Sequence, residues 1–161
     1  LTNGSKLLAC MLMIIGGSTA GTAGGIKTTT VAVLLLTAIS VLRGNKDTEC
    51  YGRKITFEII RVGITITLVT FVFWLFGVTV MTVIEPQQKV LDLMFEATSA
   101  MATVGLTADL TPVLSDISHV VLMLMMYIGR IGPMTMALIF SGHVDKKNQF
   151  RTLPEAKIMV G

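Results

Sequence analysis

Between Arg61 and Glu85 the chain runs for 23 residues without a charged side chain. A helix needs about 20 apolar residues to cross the hydrocarbon core of a bilayer, so this run already excludes most soluble architectures. Composition agrees. The 161 residues are 52% hydrophobic and 14% charged, against roughly 25% charged in ordinary soluble domains, and the mean hydropathy is +0.75. Further uncharged runs cover 7–26, 28–42, 117–129 and 131–144. The sequence predicts an all-α, multi-pass protein of the cell membrane, with the lipid bilayer as its main surrounding. The net charge of +3 is too small and too scattered to imply a nucleic-acid partner. The chain starts with Leu1 and has no basic-then-apolar leader with a cleavage site, so it reads as a C-terminal fragment of a longer protein.

Charge sets the expected orientation. Arg43, Lys46, Arg53, Lys54 and Arg61 cluster in one loop, and Lys146, Lys147, Arg151 and Lys157 in the tail. Basic loops stay on the cytoplasmic side, which makes segment 43–56 a cytoplasmic loop and 145–161 a cytoplasmic C-terminal tail. The stretch 85–117 carries one base, Lys89, against Glu85, Asp92, Glu96, Asp109 and Asp116, so both of its ends lie outside. Helix 57–84 then runs outward and helix 117–143 runs inward. The apolar segment LDLMFEATSAMATVGLT (91–107) lies between them. It is too short to cross. About 12 helical residues reach roughly 18 Å, near half of the hydrocarbon core. The segment is expected to dip in as a half-helix and return extended, unless it packs as an amphipathic helix on the outer surface. Non-helical backbone at that depth survives only where it lines protein or a water-filled path.

The returning residues are Thr103, Val104, Gly105 and Leu106. They suit a cation filter, in which backbone carbonyls replace the hydration shell of the ion. Glycine permits the backbone angles that aim a carbonyl, and the half-helix directs its negative end at the cation. A cation would sit at the carbonyls of Thr103, Val104 and Gly105.

A second break occurs at GGSTAGTAGGIKTTT (16–30), between the apolar arms 7–15 and 31–42. Gly16, Gly17, Ser18, Gly21, Gly24, Gly25 and Lys27 interrupt what would otherwise be one span, and each glycine disfavours helix by up to about 1 kcal/mol. A phosphate loop needs Gly immediately before the lysine, where Ile26 stands. A serine nucleophile elbow needs Gly where Ala20 stands. Three readings stay open: an intramembrane protease pairing Ser18 with His119, helix packing through the GxxxG spacing of Gly17, Gly21 and Gly25, and a polar loop lining an ion path. The last fits the cation Lys27 within the span best. Arg130 is a second mid-span cation, beside Gly129, Gly132 and Pro133, which are expected to kink the final helix. It either faces an ion path or pins an acid such as Glu96. Cys10 and Cys50 form no disulfide framework, and the scattered methionines read as apolar filler rather than copper ligands.

Together IIGGSTAGTAGGIKTTT (14–30), FEATSAMATVGLT (95–107), YIGRIGPMT (127–135) and the tail RTLPEAKIMVG (151–161) resemble the Trk/Ktr/HKT superfamily of potassium transporters, most closely the Ktr-type membrane subunit. The resemblance covers nearly the whole chain. It implies a potassium-channel-like fold of four helix–pore loop–helix repeats around one pore. Residues 1–42 would be the broken second helix of the third repeat, and 57–144 the complete fourth repeat. It also implies that 16–27 is an intramembrane gating loop, that Arg130 lies near it, and that Gly105 is the filter glycine of the fourth repeat. The implied function is potassium uptake rather than catalysis, with sodium dependence left open. The implied partners are a second copy in a membrane homodimer and a ring of cytosolic nucleotide-binding (RCK-type) regulatory subunits. The departure is the absence of two and a half repeats. A secondary transporter with broken midplane helices is the alternative, followed by a structural membrane subunit.

Overall fold

The computed structural model describes residues 2–18, 24–44, 47–50 and 53–132. Five α-helices carry the architecture: α1 (Asn3–Ile14), α2 (Thr28–Leu42), α3 (Phe57–Ile84), α4 (Val90–Met101) and α5 (Asp116–Ile131). This agrees with the all-α expectation. One addition is a small antiparallel hairpin, β1 (Glu49–Cys50) with β2 (Arg53–Lys54), which pairs Glu49 with Lys54 and Cys50 with Arg53. It lies in the segment read from sequence as a plain loop.

The uncharged run from residue 62 to 84 falls within α3, whose 28 residues reach about 42 Å. Among the described residues it is the one helix long and apolar enough to cross a bilayer by itself. Only 22% of its most apolar window is buried, and Ile64, Leu68, Phe71, Val72, Leu75 and Phe76 are exposed. The core helix of a soluble protein would hide such side chains, whereas lipid accepts them. The threonines of α3 remain compatible with hydrocarbon because each hydroxyl is satisfied by its own helix backbone. Thr65, Thr67, Thr70, Thr79 and Thr82 donate to the carbonyls four residues earlier, at 2.8–2.9 Å.

The core is built around the short helix α4. Residues 95–101 are buried without interruption. Leu93, Ala97, Ala100 and Met101 pack with Val78 and Met81 of α3 and with Leu122 and Met125 of α5. On the opposite side Phe95 and Ala102 meet Cys10 and Met13 of α1. Polar ties fix the register of these contacts. Lys6 of α1 pairs with Asp92 of α4 at 2.5 Å. The Trp74 indole donates to Thr98 Oγ1 at 2.9 Å, and that hydroxyl in turn donates to the Met94 carbonyl. Glu85, just past α3, caps the start of α5, accepting from Ser115 N at 2.8 Å and Ser118 Oγ at 2.9 Å. The Ser115 amide, followed by the two hydroxyls, holds the Glu85 carboxyl below the usual carboxylate range.

Two helix breaks differ in kind. The span of α1 and α2 is broken as the glycines predict: α1 stops at Ile14, and a loop intervenes before α2 begins at Thr28. The GxxxG helical face is therefore not formed, since Gly17 and Gly25 lie in that loop; Gly21 lies outside the described residues. At the other end, α5 is helical through Gly129 to Ile131, and Gly132 ends it with a φ of 81°. Gly129 serves packing. A Cβ there would lie 1.9 Å from the Met101 carbonyl oxygen, so only glycine lets α5 close on the end of α4. Pro133 and the tail 145–161 lie outside the described residues.

This contrast between glycines is testable. In the full-length protein, Gly129→Ala should lower thermal stability by about 2 kcal/mol or more through overpacking. Gly63→Ala in α3, where the new Cβ meets nothing closer than 3.5 Å, should be neutral or stabilise by up to about 1 kcal/mol. Thermal melts of the two variants in detergent measure the difference, and equal behaviour would contradict the packing assignment.

Candidate functional site

The candidate site grows from the last turn of α4. Val104 N donates to Ser99 O at 3.0 Å and Thr103 N donates to Ala100 O at 3.1 Å. These are the two reversed bonds that close a helix when the next residue turns left-handed. Glycine usually occupies that turn, yet here it is Thr103, with a φ of 54°. A non-glycine residue in this region costs on the order of 1–3 kcal/mol. An offsetting bond comes from the glycine-rich loop, whose Gly24 N donates to Thr103 Oγ1 at 2.9 Å. A second left-handed residue follows two positions on, Gly105, with a φ of 83° and open space around its Cα. Val104, Gly105 and Leu106 are exposed in this chain.

The loop behind this turn is closed on itself. Ile15 and Ile26 form a parallel bridge, with Gly16 N donating to Ile26 O at 2.7 Å and Ile26 N to Ile14 O at 3.1 Å. Thr28 N reaches Gly17 O at 3.3 Å. Backbones approach too closely here for side chains. A Cβ on Gly16 would sit 2.1 Å from Gly24 O, and one on Gly24 would sit 2.9 Å from Met101 O and 3.1 Å from Gly129 O. Three backbones therefore converge on one carbonyl: the end of α4, the loop at Gly24, and α5 at Gly129. Ser18 is exposed, and Lys27 leads into α2.

Arg130 projects beside this junction. It is exposed and lines, with Thr103, Gly105, Leu106 and Glu96, a cleft of about 840 Å³. Its neighbour Gly129 lies against the loop, its carbonyl oxygen 3.1 Å from where a Cβ on Gly24 would sit. Among the described residues Arg130 forms no ion pair, and the proposed acid Glu96 is engaged elsewhere. The Glu96 carboxylate accepts from Thr107 Oγ1 at 2.5 Å, Ala108 N at 2.9 Å and Thr111 Oγ1 at 2.9 Å. The reading of Arg130 as pinned to Glu96 is thereby corrected. The protease reading gains nothing either, since the His119 ring lies 3.0 Å from Ser115 O within its own helix. Among the described residues no group of three His, Cys, Asp or Glu could hold a metal ion.

Sequence reasoning missed the Glu96 bonds, the Lys6–Asp92 pair and the role of Gly129. The signal for the first was present: an acid inside an apolar helix needs donors, and three hydroxyl-bearing or turn residues follow within fifteen positions.

A family model described as TrkH, cation transport protein, matches residues 1–151. The chain belongs to this TrkH family. It is 35% identical over its whole length to Ktr system potassium uptake protein B of Bacillus subtilis, of which it covers 35%. It is 34% identical to potassium/sodium uptake protein NtpJ of Enterococcus hirae, covering 36% of that protein. A third relative, Ktr system potassium uptake protein B of Vibrio alginolyticus, is 33% identical over 87% of this chain and 30% of its own length. The chain thus spans about a third of the relatives it matches. Membership of the family agrees with the membrane character of α3 and with the superfamily resemblance of the three motifs.

In this TrkH-family chain, the Thr103 hydroxyl should matter apart from its shape. Thr103→Val, which keeps the volume and removes the acceptor, should cost about 1–2 kcal/mol by leaving the Gly24 amide unpaired. Thr103→Ser should stay within about 0.5 kcal/mol of the parent. Melting of the full-length variants checks this, and a Val variant as stable as the Ser variant would contradict it.

Proposed function

We propose that the chain carries the fourth pore loop of a potassium uptake pore, together with the broken helix that gates it. The observation that carries the reading is the left-handed turn at Thr103 and Gly105. It closes a buried helix of half-membrane length and shares a cleft with Arg130. Residues 103–106 are the filter, and potassium is coordinated by the carbonyls of Thr103, Val104 and Gly105. The negative end of α4, equivalent to roughly half an elementary charge, favours a cation there. Support for potassium as the ion comes from the names of the relatives, two potassium uptake proteins and one potassium/sodium uptake protein. Sodium is the competing ion.

Residues 16–27 act as the gate. Support comes from the bond between Gly24 and Thr103, which couples the loop to the filter directly. Arg130 is the electrostatic barrier of the closed state. A unit charge about 6 Å from a passing cation, at an effective dielectric of about 20, raises its energy by about 3 kcal/mol, enough to slow passage roughly a hundredfold. The complete pore requires the repeats beyond this chain and is held in a membrane homodimer. The exposed bases Arg43, Arg53 and Lys54 offer a cytoplasmic surface for a ring of nucleotide-binding regulatory subunits, and the tail bases Lys146, Lys147, Arg151 and Lys157 are proposed to join that contact.

Flux through the full-length protein in proteoliposomes, normalised to inserted protein, tests the reading. Gly105→Ser meets no steric obstacle but strains a left-handed backbone, and it should lower the preference for potassium over sodium. Arg130→Ala should raise potassium flux per molecule, with Arg130→Lys restoring much of the block. Unchanged ion preference in the first variant and lower flux in the second would sink the reading.

A further inference from the structure

Glu96 is the most deeply buried acid among the described residues, at 4% exposure, and its bonds all run in one direction. Every donor it accepts from lies on the segment returning from Gly105: the Thr107 hydroxyl, the Ala108 amide and the Thr111 hydroxyl. A buried carboxylate is costly unless it is fully hydrogen-bonded, and the folded chain meets that cost with these three donors rather than with a cationic side chain. Bonds to a charged acceptor are shorter and about twice as strong as neutral ones.

The consequence lies in what is stretched between the two ends. At its start the strip 103–106 is fixed by the helix-closing bonds to Ser99 and Ala100 and by the Gly24 amide on Thr103. At its far end it is fixed by Glu96, seven residues before Thr103 on the same helix. Val104, Gly105 and Leu106 are exposed in this chain, and a Cβ on Gly105 would meet nothing within 4 Å. Within this chain, packing therefore does not set the path of the strip; its anchors do. Thr111 adds a second link, since its hydroxyl lies 3.0 Å from that of Thr107, so the first residue of the 3-10 turn Thr111–Val113 is drawn into the same clamp.

We propose that Glu96 is a positioning residue for ion selection: it fixes the far end of the strip 103–106, and so the spacing of its carbonyls, without touching the ion. This rests on the reading of 103–106 as the filter. Glu96→Gln keeps the shape and can still accept from the Ala108 amide, but its NH2 end meets the Thr111 hydroxyl as a donor, so that bond must reverse and the charge that strengthens all three bonds is lost. Thr111→Val removes one donor and leaves the acid in place.

The experiment measures the potassium-to-sodium preference and the apparent KM for potassium in the full-length protein in proteoliposomes. The variants are Glu96→Gln, Thr111→Val and Gly105→Ser, each with a thermal melt. Glu96→Gln and Thr111→Val should each lower the preference roughly fivefold or more, with a matching rise in KM and a smaller change in maximal flux per inserted molecule. Should Glu96→Gln fail to insert, Thr111→Val decides. Lower melting temperatures with unchanged preference and KM would make Glu96 merely structural and overturn the proposal. If Gly105→Ser shifts the preference and the other two do not, the clamp fails while the filter reading stands. If none of the three shifts it, both fail.

Discussion

The chain is organised around the carbonyl end of the short, buried helix α4. Buried backbone that leaves helical geometry must find partners inside the protein, and each notable local feature supplies one. Thr103 turns left-handed so that two amides return to the helix. Gly24 and Gly129 lack side chains so that a loop and a helix can close on the Met101 carbonyl. Glu96 receives the returning strand. The outer ties through Lys6, Glu85 and Trp74 hold the surrounding helices where these contacts need them. A 12-residue helix has little stability of its own, so its geometry depends on this surrounding set.

That dependence also links the two unusual segments. The glycine-rich loop and the Thr-Val-Gly turn are 79 residues apart at the Gly24–Thr103 bond, yet they share a junction with α5. A change in the loop at Gly24 cannot leave Thr103 unaffected, because the hydroxyl that offsets the strained turn is the acceptor for the loop amide. On the proposed reading of these segments as gate and filter, the two would be mechanically coupled through one hydrogen bond and one crowded carbonyl.

Much of this was legible in the sequence, for physical reasons. The uncharged run to residue 84 admits few structures other than a long apolar helix. The glycines of 16–25 disfavour continuous helix by their number, and the length of 91–101 between acidic flanks limits α4 to about half a span. Two kinds of feature were not legible. Periodicity cannot show that a glycine admits a neighbour, so the approach of Gly129 to the Met101 carbonyl left no signal in the sequence. Partners distant along the chain leave no local pattern, so Glu96 was offered to Arg130, whereas the structure satisfies it with Thr107, Ala108 and Thr111. The hairpin of Glu49–Cys50 with Arg53–Lys54 was missed because strands of two residues are too short to show alternation.

The central claim is that the carbonyls following α4 coordinate the permeant ion. Rubidium substitutes for potassium and scatters anomalously, so crystals of the full-length protein grown in rubidium test the claim directly. Anomalous peaks are expected on the pore axis within coordination distance of the Thr103, Val104 and Gly105 carbonyls. Ordered protein at 103–105 with those carbonyls turned away, and rubidium bound elsewhere along the path, would contradict it.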